Sequence, residues 1–233
     1  MNSIPKILHQ TWKDDNIPSH FVTLISTWKE NHPDWEYNLW TDDTNRSFIL
    51  NNYPEFLTTY DSYSNNIQRV DAVRYFILYH YGGVFIDIDF ECFKNINLLL
   101  DGSSCVFALE PEEHAGQFNK PYIVCNAFMA CISKNDFFKR LCSDLADVQL
   151  KKINDKIDIL QTTGPFFLTD IYNNYTDKEN ITLLSSSLIY PFSIAEVRKA
   201  LKGEINKNMQ LKLNNAFALH YFWGNWWKEV SNS

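Results

Sequence analysis

The chain has 233 residues, 45% of them hydrophobic and 15% aromatic, and a formal net charge of −7. That length and apolar supply support one large core and exclude a disordered chain, so a single domain over residues 1–233 is expected. The acidic balance excludes a nucleic-acid binder working through a broad basic field, yet leaves room for a small anionic ligand held by a metal and a few arginines.

In chain order, "IPKILHQTW" (4–12) reads as a first strand ending in polar and aromatic residues. "PSHFVTLISTWKEN" (18–31) has a proline start and helical spacing at Phe21, Leu24, Ile25 and Trp28. "WEYNLW" (35–40) alternates as a strand, so strand, helix, strand opens an α/β sheet. From Asn65 to Tyr81 the spacing of Ile67, Val70, Val73 and Ile77 predicts a helix stopped by Gly82-Gly83. Asp71 and Arg74 are three apart on it, which makes them either an ordinary surface ion pair or part of a site.

The following run, "VFIDIDFE" (84–91), reads as a strand carrying two aspartates one residue apart. Strand alternation puts Asp87 and Asp89 on one face, with Ile86, Ile88 and Phe90 on the other. Carboxylates taken out of water need compensation, and two converging on one volume suit a hard divalent cation. The plainer alternative is a strand end whose aspartates are solvated.

"CVFALE" (105–110) is expected as a strand, 110–122 as a long charged loop able to carry specificity, and "IVCNAFMACI" (123–132) as another strand. Helices are expected from Asn135 to about Val148 and after Thr163-Gly164-Pro165. The tail "ALHYFWGNWWKE" packs His220, Trp223, Asn225, Trp226 and Trp227 into eight residues; it is either an aromatic clamp on the core or a wall of the site. Cys92, Cys105, Cys125, Cys131 and Cys142 form no CxxC pair and read as buried thiols. No segment resembles a signal peptide or reaches the length of a membrane span, so a soluble, cytoplasmic chain without an integral span is expected.

The series "IPKILHQTW", "RVDAVRYFILYHYGGVFIDIDFE", "NAFMA", "TGP" and "ALHYFWGNWW" resembles glycosyltransferase family 32, DxD-containing sugar transferases related to fungal outer-chain mannosyltransferases and distantly similar to the glucosylating domain of large clostridial toxins. A bare DxD is weak; DxD preceded by a D-x-x-R-Y helix and Tyr-Gly-Gly is specific. The resemblance implies a single-domain GT-A fold, α/β with a mixed central sheet flanked by helices, binding a nucleotide sugar at the carboxyl ends of its strands. It further implies that His9, Gln10 and Trp12 line the pocket of the donor's base, with Trp12 stacking on it. Asp71 would hold ribose or sugar hydroxyls and Arg74 the donor sugar. Asp87 would contact the ribose and reach the metal through water, Asp89 would bind the metal directly, and His220 would stand near metal and diphosphate. Asn225 and Trp226 are placed near the donor, with Asn225 standing where many relatives carry Ser. Glu110, Asn126 and Gly164 fall on the acceptor side.

The implied activity is retaining transfer of a hexose from GDP-mannose or a UDP-hexose to a glycan or lipid-linked acceptor, with Mn²⁺ or Mg²⁺ stabilising the leaving diphosphate. The competing readings are a DxD-type phosphohydrolase and a protein that binds or hydrolyses nucleotide sugars. The first expects its nucleophilic aspartate near the N-terminus and Thr or Val two residues after the second aspartate, where this chain has Glu91.

Overall fold

Five parallel strands and one reversed strand form the central sheet of the computed structural model, which describes residues 3–147 and 153–224. The first half builds one edge: β1 (Ile7–Thr11), α1 (Ser19–Asn31), β2 (Glu36–Trp40), α2 (Asp42–Asn52), α3 (Leu57–Ser62), α4 (Asn66–Tyr81) and β3 (Gly83–Ile86). Short β4 (Phe90–Cys92) and α5 (Asn97–Leu100) lead to β5 (Cys105–Leu109), α6 (Glu112–Gln117) and β6 (Val124–Cys131). Then come α7 (Asp136–Asp147), α8 (Lys156–Thr162), α9 (Pro165–Asn174), β7 (Ile181–Leu184), α10 (Ser186–Ile189), α11 (Ile194–Ala200), α12 (Lys207–Asn215) and β8 (Ala218–His220).

The strand order is β2-β1-β3-β6-β5-β7, with only β6 antiparallel to its neighbours. The carboxyl ends of β1, β2, β3 and β5 therefore open on one edge, and the reversed β6 brings its amino end there too. A separate antiparallel pair, β4 with β8, sets Phe90 opposite His220. Both faces of the sheet are buried: Phe85, Phe107 and Met129 pack under α4 and α7, while Val84, Ile86, Val106 and Phe128 pack with Trp28 and Tyr190. All five cysteines are free and buried, as expected from their neighbours.

Gly82 and Gly83 make the α4–β3 turn with φ of 69° and 93°. A Cβ on Gly83 would lie 2.6 Å from the Ile7 carbonyl oxygen, so this turn admits β1 against β3 only without a side chain.

Three expectations change. The strand carrying the paired aspartates stops at Ile86, and Asp87 to Asp89 form a turn, closed by Phe90 N–H donating to the Asp87 carbonyl at 3.3 Å. The segment read as a loop, 110–122, contains α6. The first strand begins at Ile7, because Pro5 and the turn closed by Ile7 N–H on its carbonyl keep the chain off the sheet until then.

Candidate active site

Along the open edge lies a cavity of about 420 Å³, within the range of small-molecule sites. Its lining is assembled by topology: Thr11 ends β1 and Trp12 follows it, Asp42 follows β2, Asp87 to Asp89 follow β3, Glu110 follows β5, and Cys125 to Ala127 lie at the start of β6. Helix α4 adds Asn66, Val70, Asp71 and Arg74 along one wall, and His220, Phe222, Trp223 and Gly224 close another.

Arg74 is buried at the centre. Its Nη1 donates to the Asn126 carbonyl at 2.9 Å and lies 3.1 Å from Asp87 Oδ1, while Nη2 lies 3.2 Å from Asp71 Oδ1. The guanidinium also covers the Phe85 ring at 4.7 Å. Asp71 accepts from Asn126 Nδ2 at 3.0 Å and from Thr163 Oγ1 at 3.3 Å. Burial pushes the Asp71 carboxyl up to about 6, against the attraction of Arg74. The pair is thus an interior network shared among α4, β6 and Thr163, the residue after α8, not a solvated helix-surface bridge.

Burial likewise raises Asp87, opposed by Arg74. Asp89 goes the other way: burial, the largest influence, would raise it, but the attraction and hydrogen bond of His220 together with backbone N–H donors lower it. His220 Nε2–H donates to Asp89 Oδ1 at 2.9 Å, the Trp223 N–H donates to Asp89 Oδ2 at 2.9 Å, and the imidazole stacks on Phe90 at 4.3 Å. Burial opposes a charge on His220, yet Asp89 raises its pKa above the ordinary value. Asp87, Asp89 and His220 each present a ligand atom within 4.8 Å of the others, and His220 Nδ1 is buried without a partner. Two carboxylate oxygens and an imidazole nitrogen suit Mn²⁺ or Mg²⁺, so this donor set fits the implied cation.

Trp12 lies against Phe21 at 4.8 Å between ring centroids and keeps part of its ring in the cavity, with Nε1 buried and unpartnered. His9 and Gln10, expected beside it, are instead fully buried in β1 and do not line the cavity. Trp40 Nε1–H donates to His9 Nδ1 at 3.2 Å, so Nε2 carries the proton and donates to the Gly82 carbonyl at 3.0 Å. Gln10 Nε2 donates to the Asp87 carbonyl at 3.3 Å, so Gln10 braces the aspartate turn after β3 while His9 braces the Gly82 turn before it. His9 and Gln10 point to opposite faces of the sheet and both faces are covered there, so from this segment only Thr11, at the end of β1, and Trp12 and Lys13 beyond it reach the cavity.

Glu110 and Asn126 line the cavity, whereas Gly164 does not. Gly164 instead lets α9 approach α8, since a Cβ there would meet Leu160 Cα at 3.0 Å. Asn225 and Trp226 lie outside the described residues. Sequence reasoning missed Thr163 as a partner of Asp71, and His114, whose Nε2 accepts from the Ile194 N–H at 2.9 Å while Nδ1–H donates to Glu110 Oε2 at 2.9 Å. It also missed Asp42, although "TDDT" at 41–44 is a legible helix start: Thr41 and Thr44 cap each other there, and the first-turn acid lands on the cavity.

Residues 18–106 match the family described as "Glycosyltransferase sugar-binding region containing DXD motif". The chain is 37% identical over 171 residues to inositol phosphoceramide mannosyltransferase 3 of Schizosaccharomyces pombe, covering 73% of this chain and 45% of that protein. An uncharacterised glycosyltransferase of Acanthamoeba polyphaga mimivirus, L373, is 25% identical, covering 96% of this chain and 84% of that one. Among solved structures, the PaToxG glycosyltransferase superposes with a TM-score of 0.57 at 14% identity, covering 91% of this chain and 79% of the other, which is a likeness of fold. The chain spans about half the length of the fungal relatives it matches.

The fold is therefore that of the GT-A class. The match over residues 18–106 and relatives at 35% and 37% identity bear out the resemblance to the DXD-containing glycosyltransferases of family 32. The phosphohydrolase reading is set aside on these matches.

Proposed function

We propose that this chain moves a hexose from a nucleoside diphosphate sugar to a hydroxyl of a glycan or lipid-linked acceptor, with retention at the anomeric carbon. The observation that carries this is the meeting of Asp87, Asp89 and His220 beside Arg74 on the floor of the cavity. Relatives named as mannosyltransferases favour GDP-mannose as donor, and the inositol phosphoceramide in their names favours a hydroxylated lipid headgroup as acceptor.

Asp87, Asp89 and His220 would hold a divalent cation, which when bound supplies a Lewis acid for the departing diphosphate. The chain's own groups do the rest. Trp12 offers a face to the donor's base, and Asp71, fixed by Asn126 and Thr163, accepts from sugar or ribose hydroxyls. Arg74 neutralises the carboxylates around it and borders the donor. Glu110, oriented by His114, receives a hydrogen bond from the acceptor hydroxyl. In a front-side displacement, the acceptor oxygen bonds to the anomeric carbon as the phosphate oxygen departs with the electron pair and takes the hydroxyl proton. The tail from His220 to Trp223 shields this step from water.

The test is a thermal-shift screen of GDP-mannose and UDP-hexoses with Mn²⁺, followed by product analysis with and without acceptor. Metal-dependent stabilisation and sugar transfer are expected. Asp89→Ala should lose both while keeping its near-ultraviolet circular dichroism. Free sugar regardless of acceptor would make the protein a hydrolase, and unchanged turnover in Asp89→Ala would remove the metal role.

A further inference from the structure

The chain is acidic overall, yet residues 194–215, "IAEVRKALKGEINKNMQLKLNN", carry five basic and two acidic side chains. They form α11, a turn and α12, a hairpin held to the core by Val197 and Met209, which pack with Phe192 and Leu219. The outward side is unusual. Leu201, Ile205 and Leu211 are 55%, 46% and 53% exposed, and they are three of the eight large apolar side chains exposed among the described residues. Leu211 lies two residues from both buried Met209 and partly buried Leu213, so the helical repeat turns it away from the core.

Around these tips stand Arg198, Lys199, Lys202 and Lys207, all exposed and without an ion pair among the described residues. The hairpin's other lysine, Lys212, is paired with Glu196 at 2.7 Å. Gly203, at φ of 81°, turns the chain between the two helices and meets nothing within 4 Å, so the tip of the hairpin is open. Such a surface costs solubility if it has no partner. Apolar tips interleaved with unpaired cations fit the interface of a bilayer, where the tips enter the headgroup layer and the cations meet lipid phosphates.

Position adds a second argument. Ile194, the first residue of α11, lines the cavity, and its N–H is tied to His114 and through it to Glu110 on the acceptor side. A surface engaged by this hairpin therefore lies next to the side where the acceptor enters. We propose that the α11–α12 hairpin docks the protein on an anionic lipid surface and brings the cavity to acceptors embedded there. This extends the lipid-acceptor reading, but docking itself requires neither donor nor transfer.

The experiment is co-sedimentation of the full chain with vesicles of phosphatidylcholine alone and of phosphatidylcholine with about one third phosphatidylserine, at low and high salt. Binding to the anionic vesicles, weakening with salt, is expected. Each of Lys199→Glu, Lys202→Glu and Lys207→Glu should lower partitioning about fivefold or more, and Leu201→Ser with Leu211→Ser should lower it at both salt concentrations. Transfer to a water-soluble acceptor should be unchanged in all of these variants, which keeps failure of docking distinct from failure of the proposed chemistry. Absence of binding to anionic vesicles, or binding that ignores all five substitutions, overturns the proposal. So does equal binding to phosphatidylcholine alone in which the lysine changes have no effect.

Discussion

Arg74 stands between two carboxylates that the sequence separates by sixteen residues, and both depend on it. Removing one partner of a buried ion network leaves the others charged and unpaired, typically at a cost of about 3 to 5 kcal/mol. Arg74→Met should therefore lower the urea midpoint strongly, and Asp71→Asn combined with it should recover part of the loss. If the double variant is no more stable than Arg74→Met, Asp71 is not the burden it is taken to be. Trp12 is a different kind of residue, half in the Phe21 cluster and half in the cavity. Trp12→Ala should raise the donor dissociation constant about tenfold, taking stacking on a base at roughly 1 to 3 kcal/mol. Titration of the folded variant with nucleotide checks this, and normal affinity would return Trp12 to the core. The pairing of Asp71 with Arg74 was legible from their spacing, but its burial was not: a helix crossing a sheet hides both side chains, and periodicity alone does not say what covers a helix face.

Among the elements, the α4–β3 turn governs how the aspartates are delivered. It depends on Gly83, where a side chain would meet both the left-handed φ and the Ile7 carbonyl of β1. Gly83→Ala should cost roughly 2 to 4 kcal/mol and should also weaken donor binding, because β1 and β3 carry Trp12 and Asp87 together. Melting temperature and donor titration read the two effects, and an unchanged melting temperature would show that the strands yield freely. The helix over 65–81, the strands around 105–109 and 124–131 and the helix at 136–147 were all readable from hydrophobic periodicity, since each is long and packed on one or both faces. The turn at Asp87 was not. "VFIDID" alternates as a strand would, and the Asp87 N–H still bonds to the Ala127 carbonyl of β6; the strand ends there because the Phe90 N–H turns back onto the Asp87 carbonyl and leads the chain into β4. The short helices α2, α3, α8 and α10 to α12 carry little periodic signal and are held by caps and neighbours, so they were unread.

Across the whole molecule, stability should depend on acid in a way set by buried groups of opposite sign. His9, desolvated between Trp40 and Gly82, is lowered to about 4. Between its ordinary value of 6.5 and about 4, only the unfolded chain binds this proton, so its contribution is complete above pH 6.5 and is lost as the pH falls. That loss amounts to about 3 kcal/mol. Asp71, raised by burial to about 6, acts oppositely: the folded chain takes up its proton first, which restores some stability between pH 6 and its ordinary value of 3.8. His9→Gln should therefore flatten or reverse the fall in urea midpoint between pH 6.5 and 4, and equal slopes in the two proteins would refute the role of His9. The sequence by itself determined the class of fold, the identity of the paired aspartates and the helix that precedes them, because strand–helix alternation and a charged pair after an apolar run are local properties of the chain. Only the tertiary structure decided that His9 braces the turn before β3, that Gln10 braces the aspartate turn after it, and that His220 joins Asp89. Pairing β8 with β4 closes a separation of 131 residues, and contacts across such distances are fixed by packing of the whole sheet and not by any neighbour in the chain.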